Sequence, residues 1–402
     1  MGPIVIVGAG QAGASLAAKL RSLGHAGPVT LIGEEPVAPY QRPPLSKAYL
    51  SGEAGLDRLF LRSASFWEEH DIALQVGVRV ESIDPGKNTV TLESGEALAY
   101  DQLALTTGSR PRILPAALGG QLKNVFAVRT LAHIDAMASN CRKGARALIV
   151  GGGYIGLEAA AVAAKLGLDA TVVEAAPRIL QRVAAPETSD YFRRLHAGHE
   201  VTIVEGIGLT RLLGEHEVTG ALLSDGREIE ADLAIVGIGI EPDVRLAAGA
   251  GLTVDNGICT DEFGRTSDPA IWAAGDCASF PHQGRRIRLE SVGNAIDQAE
   301  HVAENMMGGG KSYQAKPWFW SDQYETKLQI AGLNTGYDRV VSRVGPDEAL
   351  SIWYYAGSRL LAVDAMNDAR AYMVGKRLIE QNRSPDPASI ADTAIDLKSL
   401  LK

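Results

Sequence analysis

Cysteine is scarce in this chain: 402 residues contain three, Cys141, Cys259 and Cys277. None falls in a C-x-x-C or C-x4-C pair, which excludes a disulfide framework and a thiolate metal site. The eight histidines are scattered. His196 and His199 lie three apart, but no acid or thiol is spaced to complete a ligand set, so they read as two exposed histidines and no metal is expected. Long apolar runs are missing as well; none approaches the ~20 residues of a membrane-spanning helix. Positive charge is the minority, with 39 Lys and Arg against 48 Asp and Glu and a net charge of −9. That excludes nucleic acid or an anionic membrane as the main partner. The start, "MGPIVIVGAG", goes directly into a strand, with no basic region and no cleavage site. Ile6 stands where acylation of Gly2 would need Ser or Thr. A cytoplasmic protein is expected.

What is present is ordinary globular material, 46% hydrophobic and 22% charged. At about 100–200 residues per domain the length allows two to four domains. The short run "IVIVG", residues 4–8, ends in glycine and reads as a buried parallel strand. "GAGQAGASLAAKLRSLG" follows with helical spacing and ends at Gly24, a C-terminal cap. "VTLIGEE" completes a β-α-β unit. The pattern recurs at "ALIVGGGYIGLEAAAVAAKLGLDATVVEAAP", residues 147–177, and this is the one internal repeat in evidence. Between the copies, strands alternate with the turns "DPGKN" and "ESGE", which predicts a small antiparallel meander. Past "GGGKS" the texture changes. "KLQIAGL", "RVVSRVG" and "LSIWYYAGSRLLAVDAM" predict an antiparallel sheet, "ARAYMVGKRLIEQN" a helix, and the residues after it a packed tail. The fold class is α/β: two Rossmann-like dinucleotide-binding domains plus a C-terminal α+β domain.

Gly8, Gly10 and Gly13 form the first G-x-G-x-x-G. These glycines permit a tight turn, close approach of a pyrophosphate and tight helix–strand packing, while the helix N-terminus attracts phosphate. Glu34 ends the next strand, where a carboxylate can bind ribose hydroxyls. Gly151, Gly153 and Gly156 repeat the fingerprint, with Glu174 in the matching place. Two fingerprints imply two dinucleotides, most economically a flavin and a nicotinamide. Glu174 would accept from an adenosine 2′-hydroxyl and repel a 2′-phosphate, favouring NADH; Arg178 and Arg182, just beyond, could instead receive that phosphate. Asp276, in "IWAAGD", sits at the carboxyl end of a strand and could accept from a ribityl hydroxyl. The helix after "ESVGN" could aim its N-terminus at the flavin ring.

The segments "RPPLSKAYL", "TTGSRPR", "GGGYIGLEAA", "GIGIEPD", "GDCA", "RLESVGNA" and "PWFWSDQYE" resemble, nearly end to end, the FAD-dependent NADH:ferredoxin reductases of the glutathione-reductase-like flavoprotein fold. The resemblance implies an enzyme that moves electrons from NADH through FAD to a [2Fe-2S] ferredoxin serving a cytochrome P450 or a ring-hydroxylating oxygenase. It implies FAD contacts at Ala12, Glu34, Lys47, Val80, Arg129, Asp276 and Val292, with Arg42 nearby. It implies NADH contacts at Ile155, Glu158, Glu174, Arg182, Gly237 and Glu290. Trp320 would lie beside the isoalloxazine, and Lys47, paired with Glu158, near its N5. Disulfide reductases of this fold carry a redox C-x4-C near the first fingerprint; this chain has "QRPPLSK" there, so reduced flavin must pass its electrons outward. The expected domains are FAD-binding (1–112 and 238–313), NAD-binding (113–237) and a C-terminal interface domain (314–402), in a monomer or weak homodimer. A rubredoxin or small-oxidant reductase is the alternative within the class. A redox-sensing flavoprotein similar to apoptosis-inducing factor is the alternative outside it. Because such ferredoxins are acidic, a local basic patch is expected, built from Arg285, Arg286 and Arg288 and extended by Lys311, Lys316 and Lys327.

Overall fold

The computed structural model describes residues 1–346 and 349–402. The chain divides into two compact units. The first comprises Met1–Arg42, Gly55–Arg110 and Ile240–Pro317, the second Pro43–Ala54, Pro111–Gly239 and Trp318–Lys402.

The first unit is organised by a five-stranded parallel sheet in the order Ile271–Ala273, Gln102–Leu105, Ile4–Val7, Val29–Gly33, Ile72–Val76. The opening strand is apolar throughout because both of its faces are covered. Ile4 and Ile6 pack with Leu16 and Leu20 of the helix Gln11–Ser22 and with Val302 of the helix Val292–Met306. Val5 and Val7 point the other way, to Val90 and Leu92 of the antiparallel meander Val80–Asp84, Thr89–Leu92, Ala97–Ala99.

The second unit carries the repeat. Its parallel sheet runs Thr202–Glu205, Asp169–Glu174, Arg146–Val150, Leu233–Val236, Val125–Ala127. An antiparallel five-stranded sheet follows, in the order Trp318–Gln323, Thr326–Gly332, Arg359–Met366, Leu350–Ala356, Arg339–Val344. Alternation along this sheet assigns its faces. Ile352, Tyr354 and Met366 join Leu157, Ile179 and Phe192 in one core, while Trp353, Tyr355 and Val363 pack with Val374 and Leu378 of the helix Ala369–Glu380. The tail is packed: Ile390 and Leu397 are buried, and Arg343 donates to the carbonyls of Ile390, Asp392 and Ile395.

Candidate functional site

Both fingerprints close the same way. Gly8 and Gly151 hold φ of +113° and +106°, a region open mainly to glycine. A Cβ at Gly13 would stand 2.0 Å from the Gly8 carbonyl oxygen, and one at Gly156 2.0 Å from that of Gly151. The third glycine is therefore needed for helix–turn contact. The middle glycines differ: a Cβ on Gly10 or Gly153 would meet nothing within 4 Å. Those two residues are the N-caps of the helices Gln11–Ser22 and Tyr154–Lys165, and neither helix has a side-chain cap. Each helix thus offers free amide groups beside open space, which fits the pyrophosphate of a dinucleotide.

Around the first nest, Thr106 Oγ1 donates to the Gly8 carbonyl at 2.8 Å. Ser109 Oγ donates to Asp276 Oδ2 at 2.9 Å, so "TTGSRPR" holds both the nest and the carboxylate. A Cβ on Gly275 would reach Ala12 Cβ at 2.9 Å, so the loop bearing Asp276 lies against the first turn of the fingerprint helix. Glu34 is 58% exposed, with Arg79 at 3.5 Å and Arg110 at 3.8 Å. Arg42 is clamped by Glu35 at 2.7 Å and by Tyr40 at 3.1 Å. Val80 is buried at the head of its strand. The helix carrying Val292 begins three residues earlier than a start after "ESVGN" would give, because Ser291 caps it by accepting from the Asn294 amide. Glu290 pairs with Arg288 at 2.5 Å.

In the second unit, Glu174 accepts from the amides of Gly152 and Ala176, both at 2.7 Å. Its carboxylate thus braces the nest it was expected to serve and has further acceptor capacity. Gly237 directly follows the strand Leu233–Val236, its carbonyl 2.4 Å from where a Gly151 Cβ would stand. Ile155 is 41% exposed. Arg129 precedes the helix Leu131–Ala138, and Arg182 lies exposed in the loop after Glu174. Arg178 does not lie open for a phosphate: it donates to Ser189 Oγ at 2.6 Å and to the Ala184 carbonyl at 2.8 Å, holding its own loop.

Lys47 and Glu158 meet, both in the second unit. Two prolines lead into the short turn Leu45–Tyr49, where Lys47 departs from helical geometry at φ −129°, ψ −111°. Its Nζ lies 3.0 Å from Glu158 Oε1 and 3.8 Å from Asp322. Glu158 is buried in the helix Tyr154–Lys165, and Ser321 Oγ donates to the same carboxylate oxygen at 2.7 Å. Burial pushes the Glu158 carboxyl above its ordinary range, against the pull of Lys47 and Ser321. Trp320 is stacked on Trp318, centroids 5.5 Å apart.

Two expectations change. His196 is fully buried, because the apolar side of the helix Pro186–Gly198 turns it into the unit; its Nε2 meets Gln323 Oε1 at 2.8 Å and its Nδ1 the Tyr324 hydroxyl at 3.1 Å. His199 is exposed as expected and stacks on Tyr324, centroids 3.6 Å apart. The basic patch is thinner than the sequence implies. Arg288, with 10% of its side chain exposed, donates to the carbonyls of Asn256 and Asp276, whereas Arg286 is exposed while it donates to those of Thr260 and Ser279. Sequence reasoning missed Ser321, Gln323 and Asp364; the alternation of "WFWSDQ" was the available signal for the first two. Among the described residues no group of His, Cys, Asp or Glu could hold a metal ion. No helix among them is long and apolar enough to cross a membrane. Burial pushes the Cys141 and Cys277 thiols up, away from thiolate chemistry.

Two glycine nests on two parallel sheets, with a buried ion pair beside the second, define a two-dinucleotide oxidoreductase. Residues 2–299 match the family of pyridine nucleotide-disulphide oxidoreductases, and 318–401 match the reductase C-terminal family. Rhodocoxin reductase of Rhodococcus erythropolis is 43% identical over 98% of this chain and 93% of its own length. Putidaredoxin reductase of Pseudomonas putida is 41% identical over 99% and 96%. A solved covalent complex of putidaredoxin reductase with putidaredoxin superposes with a TM-score of 0.95, at 40% identity over 99% of this chain and 98% of that one. The chain belongs to the pyridine nucleotide-disulphide oxidoreductase family, on its ferredoxin-reductase branch. It is an oxidoreductase that works with FAD and a pyridine nucleotide.

Proposed function

We propose that this enzyme passes electrons from NADH, through FAD, to a [2Fe-2S] ferredoxin that serves a cytochrome P450 or a ring-hydroxylating oxygenase. The observation that carries the reading is the Lys47–Glu158 pair, 3.0 Å apart and beside a dinucleotide nest, in a chain with no cysteine before Cys141. Bound FAD supplies the chemistry that joins a two-electron donor to a one-electron acceptor. The protein's part is to bind and to orient. The first nest and Asp276 hold the flavin dinucleotide; Glu34 takes the ribose. The second nest holds NADH, with Glu174 on the adenosine ribose, where its charge disfavours a 2′-phosphate. Arg182 is the remaining candidate for that phosphate, since Arg178 is engaged. By the resemblance, Lys47, held by Glu158, would supply a cation to the flavin, and Trp320 would serve the same ring. The proposed domains are 1–112 with 238–313 for FAD, 113–237 for NADH and 314–402 for the interface. Support for the last comes from its separate antiparallel sheet.

The test is NADH-driven cytochrome c reduction by the purified yellow protein with each ferredoxin encoded in the same genome. One ferredoxin should raise the rate far above that of the reductase alone. If none does, while a rubredoxin does, the partner assignment is wrong. A stable NADH complex with slow oxidation and NADH-driven dimerisation would favour the redox-sensing alternative.

A further inference from the structure

Glu158 is the end of a longer chain of hydrogen bonds, drawn from two helices, a strand and the hairpin turn after it, all in the second unit. The Tyr324 hydroxyl lies 3.1 Å from His196 Nδ1, and His196 Nε2 lies 2.8 Å from Gln323 Oε1. Gln323 Nε2 donates to Ser321 Oγ at 3.2 Å, and Ser321 Oγ donates to Glu158 Oε1 at 2.7 Å. Lys47 Nζ meets the same oxygen at 3.0 Å. The inner members, Ser321, Gln323 and His196, are all fully buried.

The direction of the chain follows from donor chemistry. A carboxylate only accepts, so the Ser321 proton must point at Glu158. The Ser321 oxygen then accepts from the Gln323 amide. That turns the Gln323 carbonyl to His196, whose Nε2 must carry hydrogen, leaving Nδ1 to accept from Tyr324. Burial lowers the affinity of His196 for a second proton, which keeps it in this neutral form. Every link therefore donates toward Glu158, and such a series polarises cooperatively. The order is written in the strand: Ser321 and Gln323 alternate with Trp320 and Asp322, so they share one face.

We propose that Ser321, Gln323 and His196 are positioning residues for Glu158: they keep its carboxylate ionised and aimed at Lys47, and so set the pH range over which NADH reduces the flavin. This rests on the reading that the Lys47–Glu158 pair serves flavin reduction. The charged groups facing Glu158 are Lys47, from the turn Leu45–Tyr49, and Asp322, from the strand Trp318–Gln323; Asp322 opposes ionisation. Those near His196 are His199, just past the end of its own helix, and Tyr324, on the hairpin turn; Glu325 lies 3.6 Å from His199.

The experiment is stopped-flow bleaching of the holoenzyme flavin by NADH across pH, for wild type, Ser321→Ala, Ser321→Thr, Gln323→Met and Glu158→Gln. Ser321→Ala should move the acid limb of the bleaching rate up by about one pH unit, a tenfold loss on the acid side of the limb. Gln323→Met should move it the same way by less, and Ser321→Thr should return it toward wild type. A uniform slowing at every pH, equal in Ser321→Ala and Ser321→Thr, would reduce Ser321 to packing and overturn the proposal. So would unchanged profiles in Ser321→Ala and Gln323→Met when Glu158→Gln is slow. Normal bleaching in Glu158→Gln would instead sink the functional reading of the ion pair, and this proposal with it.

Discussion

Replacing Lys47 with Met should destabilise the second unit in a pH-dependent way and slow flavin reduction, and the two effects separate. At 3.0 Å the pair's Coulomb attraction is about 5 kcal/mol for an effective dielectric constant near 20. The measured loss should be smaller for two reasons. Lys47 keeps 19% of its side chain exposed, so water screens part of the attraction. Burial already favours protonated Glu158, so the carboxyl can take up a proton once its cation is gone. We expect a loss of about 2 kcal/mol at neutral pH, below the ~3–5 kcal/mol for breaking a fully buried pair. The sign with pH follows from linkage. With its folded-state pKa raised, Glu158 contributes stability that is full at low pH and lost as pH rises through that value. Lys47→Met should therefore approach wild type on the acid side, where Glu158 is protonated in both proteins, and fall furthest behind as pH rises and the wild-type carboxylate ionises. The double variant Lys47→Met/Glu158→Gln removes both charges and should recover most of the stability, while flavin bleaching by NADH stays slow. Denaturant unfolding across pH gives the first readout and stopped-flow absorbance the second, with FAD content unchanged throughout. Additive losses in the double variant, or normal bleaching in Lys47→Met, would refute the reasoning.

Other expectations follow from the same geometry. Glu174→Ser should raise the KM for NADH and narrow the gap to NADPH by roughly 1–3 kcal/mol, the range for a lost hydrogen bond to a charged group; a wild-type preference for NADPH would show that Arg182 binds the phosphate. Gly10→Ala should leave the fold intact and weaken FAD retention, because its Cβ would enter the open space at the helix end. Gly13→Ala should lower thermal stability even without cofactor, since its Cβ would stand 2.0 Å from the Gly8 carbonyl; equal behaviour of the two variants in a melting assay would count against the assignment of that space to phosphate. Asp364 is fully buried, accepts from Thr188 and Tyr354, and is pushed up by burial to about 6. A raised acid loses stability as pH climbs from the unfolded value near 4 to about 6, here by roughly 3 kcal/mol. Asp364→Asn should flatten that stretch of the stability curve; an unchanged curve would refute it.

What the sequence determined by itself is local. The glycine positions forced two nests, because residues with positive φ or with a carbonyl pressed against Cα have almost no alternative. The uninterrupted apolar run Ile4–Val7 required a strand covered on both faces, and such strands lie in the sheets that carry these nests. The lack of early cysteines removed thiol chemistry from the first fingerprint. The fate of individual polar side chains was left to tertiary packing. His196 looked like a surface residue until the helix Pro186–Gly198 met the hairpin at Tyr324. Arg288 looked like part of a free basic patch until backbone carbonyls, which have no signature in side-chain identity, took up its donors. Arg178 was withdrawn from phosphate binding in the same way. The chain from Tyr324 to Glu158 joins residues more than a hundred positions apart, and each link depends on a buried donor finding its acceptor within a few tenths of an ångström. Such pairings are selected by the desolvation cost of leaving a buried group unmatched, and only the assembled core determines which groups are buried together.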